Sequence, residues 1–179
     1  WIPFYESNTA SAKSVLGTFF KVFPNGILWS NDYTGDGYDA VLFGQAEPTK
    51  IDLDKLEARL DSVPYAAVKQ SLADAGFPTM ADLLGTYAGR ASDLKEWLAG
   101  AAINEDSNLR LQYIAGMAVN TYQGEAILQG ILKYYKYPDD MFSGSASLKQ
   151  EVRDAIEIPR RLASSANAQN TPAVATTSR

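Results

Sequence analysis

Between residues 10 and 23 apolar side chains fall at Ala12, Val15, Leu16, Phe19, Phe20 and Phe23. This three- and four-residue spacing predicts a helix with one broad buried face, capped within Ser7-Asn8-Thr9. Pro24-Asn25-Gly26 stops it, with Asn25 or Gly26 able to take the left-handed C-terminal conformation. The pattern then changes. Residues 27–30 and 38–43 are short β-forming runs, separated by an Asn-, Asp- and Gly-rich stretch at 31–37. Together they predict an antiparallel hairpin with a loop longer than a tight two-residue turn. Ahead of the helix, Trp1-Ile2-Pro3-Phe4-Tyr5 reads as the exit from a strand into a loop, and Pro3 is unsuited to a central strand because it lacks a ladder donor. A lone hairpin is marginal in water. The remaining elements are therefore expected to support it.

Those elements read as helices. Asp52 is placed to cap a helix over 53–60 with Leu53, Leu56 and Leu60 on its stripe, and Pro64 precedes another over 65–75 that ends at Gly76. Thr79 and Asp82 form a capping box for a short helix carrying Leu83, Leu84 and Tyr87, weakened by Gly85 and Gly89. Ser92 opens a further short helix with Leu94, Trp97 and Leu98, closed by Gly100. Asn108 can cap a helix through Leu109, Leu111, Tyr113, Ile114, Met117, Ala118 and Val119, with Ala115, Gly116 and Ala118 small enough for close helix contact. A helix over 123–135 follows, burying Ile127, Leu128, Ile131, Leu132 and Tyr135, and the two are expected to form an αα-hairpin. A charged helix over 147–162, interrupted or ended near Pro159, precedes an Ala-, Ser-, Thr-, Asn- and Gln-rich tail with too little apolar surface to offset its ordering entropy. The expected organisation is 1–50 as a hairpin-bearing unit, 51–162 as a helical extension and 163–179 as a flexible tail.

Composition narrows the chemistry. The chain has no cysteine and no histidine, so disulfides, thiolate chemistry, Ser-His-Asp and Cys-His mechanisms and His- or Cys-based metal sites are excluded within it. The formal charge is −5; residues 1–142 hold eleven basic against eighteen acidic residues, net −7, and residues 143–179 five against three, net +2. An acidic body without a basic cluster argues against nucleic acid as partner and suits a small cation better, although acidity also serves solubility. No apolar run approaches the roughly 20 residues of a membrane helix, so no membrane span is expected. Trp1 in place of Met points to an incomplete, processed or trimmed N-terminus.

The tightest polar and aromatic cluster is Asn31, Asp32, Tyr33, Asp36 and Tyr38. Carboxylates beside tyrosine hydroxyls can hold an ammonium or polyamine, and tyrosine faces add cation–π attraction. The same residues equally describe a solvated hairpin loop. The ligand spacing of a calcium-binding helix–loop–helix is missing. Asn104, Glu105, Asp106 and Asn108 form a second acidic knot that reads as a capped helix start, and Trp29 and Trp97 read as core anchors. Gly35-Asp36-Gly37 lies between strands, not in the strand-to-helix setting of a nucleotide-binding glycine loop.

Ile2-Pro3-Phe4-Tyr5-Glu6, then Phe19-Phe20-Lys21-Val22-Phe23-Pro24-Asn25-Gly26, and Trp29 through Tyr38-Asp39-Ala40-Val41-Leu42-Phe43-Gly44 resemble the last helix and hairpin of spermidine synthase-like proteins. The likeness is closer to the bacterial branch often fused to a multi-spanning membrane domain. Residues 86–91 and 103–111 resemble that branch's C-terminal extension, so the likeness covers about residues 1–142. The resemblance implies an α/β fold: the terminal helix and antiparallel hairpin of a Rossmann-like, methyltransferase-type sheet, followed by a mainly α-helical extension. It implies aminopropyl transfer from decarboxylated S-adenosylmethionine, as co-substrate of the parent protein, to putrescine. The nucleotide site and acidic catalytic loop of the family lie upstream of the matched part, so this segment is expected to bind no cofactor and to be inactive alone. By position, Tyr5, Tyr33 and Tyr38 are candidate substrate-binding residues, and Glu6 and Asp32 candidate auxiliary catalytic carboxylates. Gly37-Tyr38 falls where the family's Gly-Tyr-Trp shapes the diamine pocket, and Asp39 stands in place of that Trp. The implied partners are the rest of the parent chain, or another protein subunit, and a small polyamine. The implied setting is a soluble bacterial cytoplasmic segment of a membrane-associated parent. The alternative is a non-catalytic scaffold or accessory subunit that binds a protein through Tyr113, Met117, Tyr122, Tyr134, Tyr135, Tyr137 and Phe142.

Overall fold

The computed structural model describes residues 1–31, 37–118 and 121–169, the stretch 159–169 as backbone. The first element is a short strand β1 (Ile2–Pro3), followed by helix α1 (Thr9–Val22). The Asn8 carboxamide accepts from the Ser11 N–H at 2.8 Å, the N-terminal cap expected of that residue. Strands β2 (Ile27–Ser30) and β3 (Asp39–Phe43) pair antiparallel, with Ile27 opposite Phe43 and Ser30 opposite Ala40, so the expected hairpin is present. β3 also pairs antiparallel with β1, Ile2 lying opposite Ala40. Pro3 thus sits on an outer strand, where its missing donor costs least.

Strand β4 (Ile51–Asp52) runs into helix α2 (Leu53–Leu60), capped by the Asp52 carboxylate at the Lys55 N–H. A 3-10 turn (Val63–Tyr65) leads to helix α3 (Ala66–Asp74). Helix α4 (Met80–Leu84) carries the expected capping box, with Thr79 and Asp82 each bonded to the other's backbone N–H. Tyr87 is not part of it. Residues Tyr87–Arg90 form strand β5, which pairs antiparallel with β2 and gives a four-stranded order β1-β3-β2-β5. Gly89 lies in this strand at φ +150°, a conformation that penalises any residue with a Cβ. The helix expected after Ser92 is replaced by a run of turns ending at Gly100, φ +74°.

Helices α5 (Arg110–Gly116) and α6 (Gly124–Leu132) both pack on α1, and the αα-hairpin expected of them is not formed. Nor does Gly116 mediate a close contact, since a Cβ there would meet open space. Strand β6 (Phe142–Ser143) pairs parallel with β4, and helix α7 spans Ala146–Gln169, continuing past Pro159 and past the expected end at 162. Helix α1 differs from expectation at its C-terminus. Phe23 closes it with φ −118°, and neither Asn25 nor Gly26 is left-handed. Gly26 is required for space instead: a Cβ there would lie 2.9 Å from both the Phe19 ring and the Phe23 carbonyl oxygen.

Side chains alternate across the sheet and feed two cores. Leu28, Ala40, Ala88, Ile2 and Phe4 join Leu16 and Phe20 of α1 and Ile127, Leu128 and Ile131 of α6, with Trp97 anchoring the rim. Ile27 and Tyr87 point the other way, to Leu53, Met80, Leu84, Met141, Val152 and Ile156, with Trp29 packed against them. The result is a mixed α/β fold: a mainly antiparallel sheet between helical layers, with the C-terminal part mostly helical. Within the second core the fully buried Tyr87 ring meets Trp29 and Tyr135 edge-on, at centroid distances of 5.6 and 5.9 Å. Burial, and secondarily the neighbouring Asp93 carboxylate, push its hydroxyl well above the ordinary tyrosine range. In the unfolded chain that hydroxyl ionises near its ordinary pKa of about 10, whereas in the native state it keeps its proton. Stability is therefore lost as pH rises above that value. Tyr87→Phe is expected to flatten the alkaline limb of a urea-denaturation series between pH 9 and 11; an unchanged slope would exclude Tyr87 as its source.

Candidate functional site

The most distinctive exposed chemistry gathers where β1 ends and β3 begins. The N–H groups of Phe4 and Tyr5 both donate to the Tyr38 carbonyl, at 3.0 and 3.1 Å. This shared acceptor brings the Tyr5 and Tyr38 rings into a stacked pair, with centroids 4.5 Å apart and planes 19° from parallel. Tyr38 is 57% exposed, so the stacked pair is open to solvent. Partial desolvation raises the Tyr5 pKa above the usual tyrosine value, with smaller contributions from Tyr38 and from the Glu6 and Asp39 carboxylates. Two carboxylates thus lie within electrostatic reach of the aromatic pair. That combination favours a cation over an anion.

Asp39 is nearly buried, and its carboxylate accepts from the Trp1 indole N–H at 2.7 Å. Its role is consequently to fix Trp1 and the end of β3, and an indole is returned to this corner from a distant point in the sequence. Glu6 is exposed. Among the expected site residues the structure therefore brings together Tyr5, Tyr38 and Glu6, while Asp32 and Tyr33 lie outside the described residues, as does Asp36.

Beneath the pair, Gly37 is buried at φ +68° and touches Gly124, the first residue of α6. A Cβ on Gly37 would lie 2.3 Å from the Gly124 carbonyl oxygen, and one on Gly124 would lie 2.5 Å from the Gly37 carbonyl oxygen. Next to this contact, the Gln123 side-chain oxygen accepts from the Thr9 N–H at 3.1 Å and so occupies one of the orphan donors of α1.

No protein-family model, curated protein or solved structure matches this chain. The site must be read on its own geometry.

Other polar clusters are accounted for by structural roles. The knot at 104–108 lies just ahead of α5, whose N-cap is the left-handed Leu109 (φ 44°) and not the expected Asn108; Asn108 Oδ1 accepts from the Glu105 and Arg110 N–H groups and Asn104 Oδ1 from that of Leu111. Glu105 is held below the usual carboxylate range by its hydrogen bond to Lys21, at 2.8 Å. Arg90 reaches from β5 to Asp140 at 2.7 Å and to Asp93 at 3.5 Å, tying the sheet to the loop before β6. A cleft of about 240 Å³ between Tyr137 and α7 is lined by Arg153. That guanidinium already stacks on Tyr137 and pairs with Asp139 and Glu157. No cluster of potential metal ligands occurs among the described residues, and no helix there is long and apolar enough to cross a membrane.

Proposed function

We propose that this chain is the closing, C-terminal part of a spermidine synthase-like aminopropyl-transfer domain, incomplete without the nucleoside-binding part of its parent. The observation that carries the reading is the strand order. β1 and β2 run in the same direction and are joined through α1, while β3 runs back between them. A terminal helix followed by an antiparallel hairpin is what the sequence resemblance leads one to expect of this segment, and β5 extends the sheet beyond that hairpin. The exposed tyrosine pair then falls at the end of β1, beside the carboxylates.

In this reading the stacked rings, in contact with each other, offer the exposed side of Tyr38 to an alkylammonium chain and Glu6 assists in orienting it, with Asp32 and Tyr33 as further candidates. Reaction requires the neutral amine. Its lone pair attacks the methylene beside the sulfonium of decarboxylated S-adenosylmethionine, a C–N bond forms, the C–S bond breaks, and a neutral thioether leaves. The proton shed by the alkylated nitrogen passes to a carboxylate or water. Asp39, bound by Trp1, orients the corner.

The test is product formation. In the protein carrying this segment, putrescine and decarboxylated S-adenosylmethionine are expected to yield spermidine and the thioether, measured by mass spectrometry. Tyr38→Ala is expected to raise the KM for the amine about tenfold, the equivalent of ~1.4 kcal/mol, with kcat altered less. The chain alone is expected to give no saturable heat with the nucleoside. Absence of product from every diamine and triamine acceptor would overturn the proposal.

A second reading, a scaffold that binds a protein through its helices, is favoured by one feature. Tyr113 on α5, Leu109 and Met117 at its two ends, and Tyr122 beyond it are all exposed. The other aromatics expected on that surface are partly or fully buried: Phe142 lies within the second core, Tyr135 and Tyr137 pack against that core, and Tyr134 packs against the first.

A further inference from the structure

We infer that Gly124 is a positioning residue for Tyr38, through which the helical extension sets the geometry of the tyrosine pair. Its functional consequence rests on the amine-site reading above, but the mechanical coupling stands on contacts already described. Gly124 opens α6, has no positive φ, and occupies a position where alanine would ordinarily suit a helix better. Glycine is needed there for space. A Cβ would press within 2.5 Å of the Gly37 carbonyl oxygen, while the Phe4 carbonyl carbon, at 3.5 Å, would be in ordinary contact. Neither neighbour is the yielding end of a side chain; both are backbone.

The contact transmits force because each link is fixed. α6 is rooted in the first core by the fully buried Ile127 and Leu128. Gln123 pins its N-terminal end to Thr9. Gly37 precedes Tyr38 directly, and the Tyr38 carbonyl is the single acceptor shared by the Phe4 and Tyr5 N–H groups. Displacing Gly37 therefore pulls that carbonyl from both donors, and the ring of Tyr38 moves off Tyr5 with its backbone. An exposed tyrosine pair would be a poor recognition surface if left to loop motion alone. Contact with a helix anchored in the first core gives it a fixed spacing.

The experiment is hydrogen exchange on the full chain, read at single amides. Gly124→Ala is expected to accelerate exchange at Phe4 and Tyr5 at least tenfold while amides of the β2–β3 ladder stay within twofold. Gly116→Ala, a helical glycine facing open space, serves as the matched control and is expected to leave both sets unchanged. Tyr38→Ala removes the ring without touching the carbonyl and is expected to preserve the Phe4 and Tyr5 protection. In the aminopropyl-transfer assay of the parent protein, Gly124→Ala is expected to raise the amine KM with kcat less affected. Unchanged Phe4 and Tyr5 exchange in Gly124→Ala, or acceleration spread evenly over the sheet, would overturn the inference. If the wild-type protein accepts no amine, the functional reading fails while the exchange result still decides the coupling.

Discussion

Tyr87→Ala is expected to destabilise the protein by about 3–5 kcal/mol, as truncation of a fully buried aromatic does. The ring is inaccessible to solvent, contacts Trp29 and Tyr135 edge-on, and belongs to a strand that covers one side of β2. Its loss removes transfer energy and opens a cavity bounded on one side by the sheet, which cannot collapse without breaking the β2–β5 ladder. Tyr87→Phe keeps the ring and forfeits the long 3.4 Å hydrogen bond from the hydroxyl to Asp93, so it is expected to cost about 1 kcal/mol at neutral pH. Chemical denaturation of the two variants, compared at pH 7, separates packing from polarity. Equal losses would show that the hydroxyl, and not the ring, holds β5 in place.

Val152→Asp is expected to be at least as damaging, but in a pH-dependent way. Val152 is fully buried on α7 among the residues of the second core, where its neighbours Leu148 and Ile156 continue the apolar face. Burying a carboxylate without a partner costs several kcal/mol, or raises its pKa until it takes a proton. A raised pKa in the folded state means that the native protein binds the extra proton more tightly than the unfolded one. The penalty is consequently small below about pH 4 and grows as pH rises past the unfolded carboxylate's pKa. Thermal melts are expected to show the variant losing more Tm relative to wild type at pH 8 than at pH 4. The opposite trend would mean that the carboxylate finds a cation or escapes to solvent. Trp29 fluorescence, a reporter from the same core, would reveal whether α7 detaches before the sheet melts.

The features that were legible in the sequence are those governed by local chemistry. Asn8, Asp52 and the Thr79–Asp82 pair cap helices because their side chains reach N–H groups only two or three residues away. The β2–β3 hairpin was readable from β-forming runs on either side of a turn-rich stretch. Strand β5 was not. Its four residues contain a glycine, follow a helical Leu83-Leu84 signal, and become a strand only because β2 offers an open edge. The packing of α5 was likewise beyond periodicity, which marks an apolar face but not the surface it meets. Ile114 and Ala118 are buried, whereas Tyr113 and Met117 are exposed.

For the candidate site, Tyr38 came into view in the polar and aromatic cluster at 31–38 and Tyr5 and Glu6 through a resemblance, and their proximity follows from the β1–β3 pairing. Two decisive contacts left no trace in composition or spacing. Trp1 and Asp39 lie 38 positions apart, and Gly37 reads as part of a turn and Gly124 as part of a helix until their backbones meet. Contacts of that kind depend on how distant elements are brought side by side, and neither residue alone announces its partner.

Strand β2 has a parity as well as a position. Its consecutive residues Ile27, Leu28 and Trp29 serve opposite cores in turn, and β2 is reached from α1 through only Phe23 to Gly26. One residue gained or lost in that connection would exchange the two sets and send each side chain into a space shaped for the other. Length between α1 and β2 is thus as much a determinant of this fold as side-chain identity.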